Sequence, residues 1–196
     1  MDKKDRNPYQ IRPICFEAGI QEYPDGSVLI SMGKTKVICS VFIEEGVPKW
    51  LQDSNTGWAT CEYDMLPGAT KQRNIRDSVK GRINARSSEI KRIVGRAIRA
   101  VLDLSKIPGK TIWIDCDVLQ ADGGTRTASI NGAYVALKKA VLKLIAENRL
   151  HNNPILDSLG AVSVGIIDGN LILDLDYEQD SRAEADMNII MTGSGQ

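Results

Sequence analysis

Residues 111–127 read Thr111-Ile-Trp-Ile-Asp-Cys-Asp-Val-Leu-Gln-Ala-Asp-Gly-Gly-Thr-Arg-Thr127, and this segment is the most informative one about the fold. Side chains alternate over residues 111–119, with Ile112 and Ile114 on one side and Asp115 and Asp117 on the other, which predicts a strand with acidic groups on one face. A glycine-containing loop follows at residues 120–127. A long helix is predicted from about residue 128 to residue 147, because apolar side chains recur there at helical spacing. The stretch therefore predicts a strand, a tight loop and a helix in succession.

The rest of the chain adds two hairpins and a second helix. Apolar positions at i, i+3, i+4, i+7, i+8 and i+11 predict a helix over residues 90–101, with Arg92, Arg96 and Arg99 on its other face. Residues 70–88 are polar and basic without an apolar period and are predicted to form a loop or short irregular segment. The other predicted strands are residues 27–32, 35–42, 58–65, 161–167, 170–176 and 188–191. Together these elements predict an α+β fold of mixed β-sheets with packed helices, in a single domain over residues 1–196.

Composition excludes several classes of protein. Hydrophobic residues make up 42% of the 196-residue chain, which is typical of a folded protein, and no apolar run approaches the roughly 20 residues of a membrane span. The charged N-terminus is not followed by the apolar stretch of a secretory signal. Four cysteines without a C-x-x-C motif argue against a disulfide framework and a zinc knuckle, and they favour a reducing, cytoplasmic location. The single histidine, His151, is predicted to lie in a solvated loop and not in a nucleophilic pair.

The net charge is zero, but the charges are segregated along the chain. Residues 71–99 contain ten basic side chains and two acidic ones, whereas residues 168–186 contain seven acidic side chains and one basic one. This asymmetry indicates a polyanion-binding surface and a separate cation site. The alternative is that both runs are simply solvated faces.

The loop at residues 120–127 has the features of an anion site. A helix N-terminus leaves backbone N–H groups unpaired and carries about half a positive charge. Gly123 and Gly124 would let the backbone approach a ligand closely, while Thr125 and Thr127 add hydroxyls and Arg126 can hold two phosphate oxygens. The alternative is a glycine-rich turn in which Thr127 merely caps the helix.

The acidic run near the C-terminus suggests Mg²⁺, a hard ion that prefers oxygen ligands. Asp174 and Asp176 share a face of the predicted strand, whereas Asp180 and Asp186 are predicted to lie in the irregular stretch beyond it. Composition alone leaves open which pair would bind the metal, and it also leaves open that the run is only a charged surface.

Five segments of the chain carry a longer pattern: Glu44-Glu-Gly-Val-Pro-Lys-Trp-Leu51, Glu89-Ile-Lys-Arg-Ile-Val-Gly-Arg-Ala-Ile-Arg-Ala100, Asp115 through Ile130, Leu173 through Asn188 and Met191-Thr-Gly-Ser-Gly195. These segments resemble the ribonuclease PH family of bacterial phosphorolytic exoribonucleases, which is related to polynucleotide phosphorylase and exosome-ring subunits. The resemblance runs nearly end to end. It implies a fold with two similar halves, a homo-oligomer that is usually a hexameric ring, and attack by inorganic phosphate on the last phosphodiester of an RNA. The RNA is typically a tRNA precursor, and the product is a nucleoside diphosphate.

The resemblance also implies roles for individual residues. The phosphate-binding residues would be Arg86, Gly124, Thr125 and Arg126. Catalysis, with Mg²⁺ as the metal, would depend on Asp180 and Asp186. The tRNA would be held by Arg73 and Arg76.

Three departures from the family pattern bear on these expectations. The usual Leu-Pro-Arg-Ala-Thr has Gly68 in place of arginine, and Ala85 replaces a glycine that commonly precedes the phosphate-site arginine. Family members also continue for several dozen residues past Gly195, so a C-terminal strand and helix are expected to be lacking here. The alternatives are therefore a catalytically silent RNA-binding ring subunit, a truncated inactive form, or a Mg²⁺-dependent hydrolytic nuclease.

Overall fold

The computed structural model describes residues 6–82 and 84–196. The N-terminal stretch that argued against a secretory signal lies outside this range apart from Arg6. The strands are β1 (Ile14–Ala18), β2 (Gly26–Met32), β3 (Thr35–Glu45), β4 (Trp58–Met65), β5 (Lys110–Gln120), β6 (Leu159–Ile167), β7 (Asn170–Leu173) and β8 (Ala185–Thr192). The helices are α1 (Asp77–Lys80), α2 (Ala85–Ala100), α3 (Thr125–Ala146) and α4 (Tyr177–Asp180). None of the helices in the described part of the chain is long and apolar enough to cross a membrane.

Five strands form the larger sheet, in the order β1-β2-β3-β5-β4. All neighbours are antiparallel except β4 and β5, which run parallel and bring Tyr63 opposite Cys116. One face of this sheet packs against α2 and α3, and the inward side chains of β2, β3 and β5 are fully or almost fully buried there. The alternation that predicted strand β5 therefore reflects one buried face and one face that is largely open.

The second sheet is antiparallel and has the order β7-β6-β8. Helix α3 also packs against it, so this helix lies between the two sheets. Asn131 connects helix and sheet, because its side chain donates to the carbonyl oxygen of Ala161 at 2.9 Å and accepts from the Ala161 N–H at 2.8 Å. The α+β class predicted from the sequence is confirmed.

Most predicted elements are present with shifted ends. Helix α2 begins at Ala85, earlier than predicted, because the Asn84 side chain accepts from the Arg86 N–H at 2.9 Å and caps the helix. Helix α3 begins at Thr125, so the alternative in which Thr127 caps it is wrong. The Thr127 hydroxyl instead donates to the Gly124 carbonyl oxygen at 3.0 Å. Strand β1 and the single-turn helices α1 and α4 were missed by the periodicity.

Candidate active site

The N-terminus of α3 is built on two glycines with left-handed backbone. Gly123 has a φ of 76° and Gly124 a φ of 67°, and Gly124 is the residue that precedes the first helical turn. L-residues with side chains avoid this region, so glycine is what allows β5 to turn into α3 so abruptly. No side chain caps the helix, so the first N–H groups stay available for an anion.

Gly123 has a role that the sequence did not reveal. A Cβ atom on this residue would lie 2.4 Å from the Leu175 carbonyl oxygen and 2.7 Å from the Asp176 carbonyl carbon. The missing side chain of Gly123 therefore makes room for backbone, and the expectation that this glycine lets a ligand approach stays a prediction. This contact places the start of α3 directly against the acidic segment.

A buried ion pair also stabilises the loop that contains Gly123. The Asp174 side chain is fully buried and accepts from the Arg12 N–H at 2.8 Å, from Arg12 Nε at 2.9 Å and from Arg12 Nη2 at 2.7 Å. Arg12 Nη1 donates to the Asp122 carbonyl oxygen at 2.6 Å. The Thr35 hydroxyl adds a bond to the Gly123 carbonyl oxygen at 2.6 Å. Asp174 thus acts on the loop through Arg12.

This geometry removes one pair of candidate metal ligands. Strand β7 ends at Leu173, so Asp174 and Asp176 do not share the strand face that the sequence predicted. Asp174 is occupied by Arg12, and Asp176 caps α4 in a reciprocal arrangement with Gln179. Both carboxylates therefore have structural partners.

Asp180 and Asp186 are the acidic residues that face the anion site. The prediction that both lie in an irregular stretch is wrong, since Asp180 is the last residue of α4 and Asp186 belongs to β8, where it pairs with Gly165. Burial raises the pKa of Asp180, and the Asp186 carboxylate raises that pKa further. The positive charges of Arg86 and Arg126 lower it. Asp186, Arg86 and Arg126 therefore all lie near Asp180, although the four side chains come from four different elements.

Arg126 is engaged by an acid that sequence reasoning missed. Its Nε and Nη2 atoms donate to the two carboxylate oxygens of Glu89 at 3.1 and 3.0 Å. The hydrogen bonds from Arg126 lower the pKa of Glu89, and the charge of Arg86 adds to this effect. The bidentate contact fixes the guanidinium plane and leaves Nη1 for a ligand. Glu89 lies one turn after Arg86 on α2, and that spacing is the signal that could have indicated it.

Asp180 and Asp186 could hold Mg²⁺, but only with two protein carboxylates as ligands. Within the described residues, no group of three or more His, Cys, Asp or Glu side chains is arranged to hold a metal ion. Mg²⁺ is commonly bound through one or two carboxylates and keeps several waters, which a substrate phosphate can replace. Asp180 and Asp186 suit such an ion, because they are neighbouring carboxylates and the Asp186 charge raises the pKa of Asp180.

Arg73 and Arg76 lie on an exposed segment beside the site. The segment is anchored next to the start of α3, because the Ala121 N–H donates to the Ala69 carbonyl oxygen at 2.8 Å. Lys71 contacts the acidic side as well, with its ammonium 5.8 Å from the centre of the Tyr177 ring on α4. Neither Arg73 nor Arg76 forms an ion pair within residues 6–82 and 84–196.

Only two of the three arginines in the predicted basic stripe on α2 are exposed. Arg92 and Arg96 are exposed. Arg99, in contrast, stacks on Trp58 at 4.5 Å and donates to the Ala59 carbonyl oxygen at 2.7 Å. Arg99 therefore stabilises the packing of α2 on β4 and is not an open cation.

Comparison with known proteins gives the class to which this fold and site belong. Residues 10–143 match the 3′ exoribonuclease family, domain 1, and residues 157–196 match the 3′ exoribonuclease family, domain 2. The chain belongs to the 3′ exoribonuclease family. Its relatives include the ribonuclease PH of Bacillus pumilus, which is 57% identical over 97% of this chain and 79% of that protein. The ribonuclease PH of Hydrogenobaculum sp. is 52% identical over 100% of this chain and 77% of that protein.

Solved structures support the same fold at low sequence identity. Rice (Oryza sativa) Rrp46 superposes with a TM-score of 0.79 at 19% identity, covering 100% of this chain and 83% of that one. A chain of the Archaeoglobus fulgidus exosome with RNA bound to the active site also has a TM-score of 0.79, at 22% identity, covering 98% and 77%. The architecture of the two sheets around α3 is therefore shared with exosome subunits.

Proposed function

We propose that this protein is a phosphate-dependent 3′→5′ exoribonuclease that trims the 3′ ends of RNA, chiefly tRNA precursors, and releases nucleoside diphosphates. The observation that carries the proposal is the meeting of an anion-binding helix start and two arginines with a pair of carboxylates, Asp180 and Asp186. Membership of the 3′ exoribonuclease family and the similarity to bacterial ribonuclease PH support it.

Phosphoryl transfer requires mainly positioning and charge stabilisation from the enzyme. Arg86, Nη1 of Arg126 and the first N–H groups of α3 would hold inorganic phosphate against the repulsion of the RNA backbone. A phosphate oxygen forms a bond to the phosphorus of the last phosphodiester, the bond from that phosphorus to the 3′-oxygen breaks, and a nucleoside diphosphate leaves. Since phosphate is the nucleophile, no histidine base is needed to activate a water.

Asp180 and Asp186 are the residues that would hold Mg²⁺. When bound there, the ion would supply positive charge to the scissile phosphate and to the leaving 3′-oxygen. The carboxylates themselves would set the distance between this charge and the phosphate held by Arg86 and Arg126.

The exposed segment with Arg73 and Arg76 would hold the RNA stem through its phosphates, by charge and not by sequence. Its attachment beside the start of α3 supports this role. Gly68 offers a test, because a Cβ atom there would meet no heavy atom within 4 Å. Gly68→Arg should therefore be tolerated, and it should tighten tRNA binding and steepen the salt dependence by about 0.9 log unit per added phosphate contact.

We also propose that the protein acts as a homo-oligomeric ring, with a hexamer as the expected form, in the cytoplasm. The relatives that share its fold include a chain of the archaeal exosome core. Sedimentation of the purified protein would measure the stoichiometry.

The decisive experiment compares RNA shortening with and without inorganic phosphate and identifies the products. We expect shortening to require phosphate and to yield nucleoside diphosphates. Arg126→Ala should remove a charge-assisted contact worth about 1.5–3 kcal/mol, whereas Arg92→Ala, on the exposed face of α2, should change little. Rapid degradation without phosphate, or monophosphate products, would identify a hydrolase instead. RNA binding without turnover would identify a silent RNA-binding subunit.

A further inference from the structure

Two buried hydroxyl groups without hydrogen bonds lie together behind the anion site. Among the described residues, three buried side-chain polar atoms lack a hydrogen-bond partner, and two of them are Tyr63 Oη and Thr125 Oγ1. Both residues are only 4% exposed. Buried hydroxyls are normally paired, because an unpaired one forfeits its hydrogen bonds to water without replacement.

The other hydroxyl groups around the start of α3 are hydrogen-bonded, so the lack of a partner is specific to Tyr63 and Thr125. Thr127 donates to the Gly124 carbonyl oxygen at 3.0 Å, and Ser129 donates to the Thr125 carbonyl oxygen at 2.8 Å. Thr35 donates to the Gly123 carbonyl oxygen at 2.6 Å. Thr125 cannot bond back in this way, since it is the first residue of α3 and has no preceding helical turn.

Tyr63 reaches this place from the larger sheet. Strand β4 points its ring into the core, and the hydroxyl comes to lie among Thr125, Arg86 and Arg126. Burial raises the pKa of Tyr63, while the nearby Thr125 hydroxyl, Arg86 and Arg126 lower it, so these groups lie close to the phenol although the two hydroxyls form no hydrogen bond of good geometry. The phenol therefore remains a proton donor at neutral pH, directed at the start of α3.

We propose that Tyr63 is a positioning residue for the phosphate nucleophile, acting through Thr125. In the ligand-bound form the Tyr63 hydroxyl donates to Thr125 Oγ1, so that the Thr125 hydroxyl directs its own proton to a phosphate oxygen beside Arg86. A hydroxyl has one proton, and a donor on one side of Thr125 leaves that proton for the ligand on the other. This inference rests on the proposed phosphorolysis and adds a residue from β4 to its anion site.

The test is the isosteric variant Tyr63→Phe, compared with Tyr134→Phe, which removes a half-buried hydroxyl farther along α3. Tyr63→Phe should raise KM for phosphate about three- to tenfold, the equivalent of one lost hydrogen bond, with kcat and KM for RNA unchanged. Equilibrium dialysis with labelled inorganic phosphate should show the same loss of affinity. Tyr134→Phe should leave both values as in the wild type.

Stability separates positioning from a packing role. Because the Tyr63 hydroxyl is unpaired in the free protein, its removal should leave the midpoint of urea unfolding the same or higher. Thr125→Val should weaken phosphate binding, whereas Thr125→Ser should bind phosphate like the wild type. The double variant Tyr63→Phe/Thr125→Val should bind phosphate no more weakly than the weaker-binding of the two single variants.

The outcomes distinguish this proposal from the proposed function. If the wild type releases no nucleoside diphosphates, the proposed function fails, and the dialysis still tests Tyr63. If the wild type is phosphorolytic and Tyr63→Phe has an unchanged KM for phosphate, the positioning role alone is refuted. A Tyr63→Phe variant that is less stable and equally impaired toward RNA and phosphate would likewise overturn it.

Discussion

Removing the charge of Asp174 should destabilise the protein far more than removing an exposed charge. We expect Asp174→Asn to lower the free energy of unfolding by about 3–5 kcal/mol, the usual cost of breaking a buried ion pair on one side. Asparagine suits the test because it nearly preserves the side-chain volume and tolerates the φ of 54° at this position. The magnitude follows from three hydrogen bonds at 2.7–2.9 Å from Arg12 to a carboxylate with no exposed surface.

The assay is urea unfolding at a fixed protein concentration, because subunit assembly would otherwise shift the apparent stability. Lys91→Met is the matched control, since Lys91 pairs with the exposed Glu62 carboxylate at 3.1 Å and should contribute at most about 1 kcal/mol. The double variant Arg12→Met/Asp174→Asn should lose less than the sum of the single losses, because it removes both sides of the Arg12 contact and leaves only the longer Arg6 contact, at 3.6 Å, without its carboxylate. A loss below about 1 kcal/mol in Asp174→Asn, or strict additivity in the double variant, would refute the reasoning.

Three further predictions concern charged residues in and around the site. Asp180→Asn and Asp186→Asn should each abolish turnover while fold and RNA affinity stay nearly intact, because both carboxylates are proposed metal ligands. Circular dichroism, RNA binding and single-turnover assays would check this, and wild-type turnover in both variants would contradict it. Replacing Arg73 and Arg76 with alanine should flatten the salt dependence of tRNA affinity by about 0.7–0.9 log unit per lost contact and spare short single-stranded substrates. An unchanged slope with the oligomer intact would exclude phosphate contacts. Burial raises the pKa of Asp117, so the ionised carboxylate is less favourable in the folded protein than in the unfolded chain. The free energy of unfolding of the wild type should therefore fall as the pH rises from the ordinary aspartate pKa to the raised pKa of the folded protein. Asp117→Asn should therefore be more stable than the wild type in urea at neutral pH, with the advantage vanishing near pH ~4; an advantage equal at both pH values would point to another cause.

The sequence predicted the strand–glycine–helix core of the fold because its signals are local. Alternation over β5, two consecutive glycines and a helical period are all present within one short window. Arg126 was predicted from the loop itself and Arg86 through family resemblance, and the structure brings both near Asp180.

What the sequence could not predict depends on contacts between distant residues. Asp174 was considered as a metal ligand or a surface carboxylate and not as half of an ion pair, since its partner Arg12 lies 162 positions away. Tyr63 looked like an ordinary core position of a strand, because alternation gives the face of a side chain but not what its hydroxyl meets. Helix α4 was missed, and strand β8 was predicted to begin at Asn188 instead of Ala185, because many charged side chains obscured any periodicity around Asp180 and Asp186.

The Arg12–Asp174 pair also orders events during synthesis. The loop that contains Gly123 cannot be stabilised by the Arg12–Asp174 ion pair until Asp174 has been translated. At about 5–20 residues per second, this happens roughly 3–10 s after Gly123. During this interval the emerging chain already contains the basic residues of segment 71–99, but its anion site is not yet stabilised by the ion pair. We expect ribosome-bound chains of increasing length to bind phosphate only once Asp174 has left the exit tunnel, and binding by shorter chains would show that the loop is organised without it. If this holds, a chain that is still attached to the ribosome and its messenger RNA would be unable to use phosphate before Asp174 has emerged.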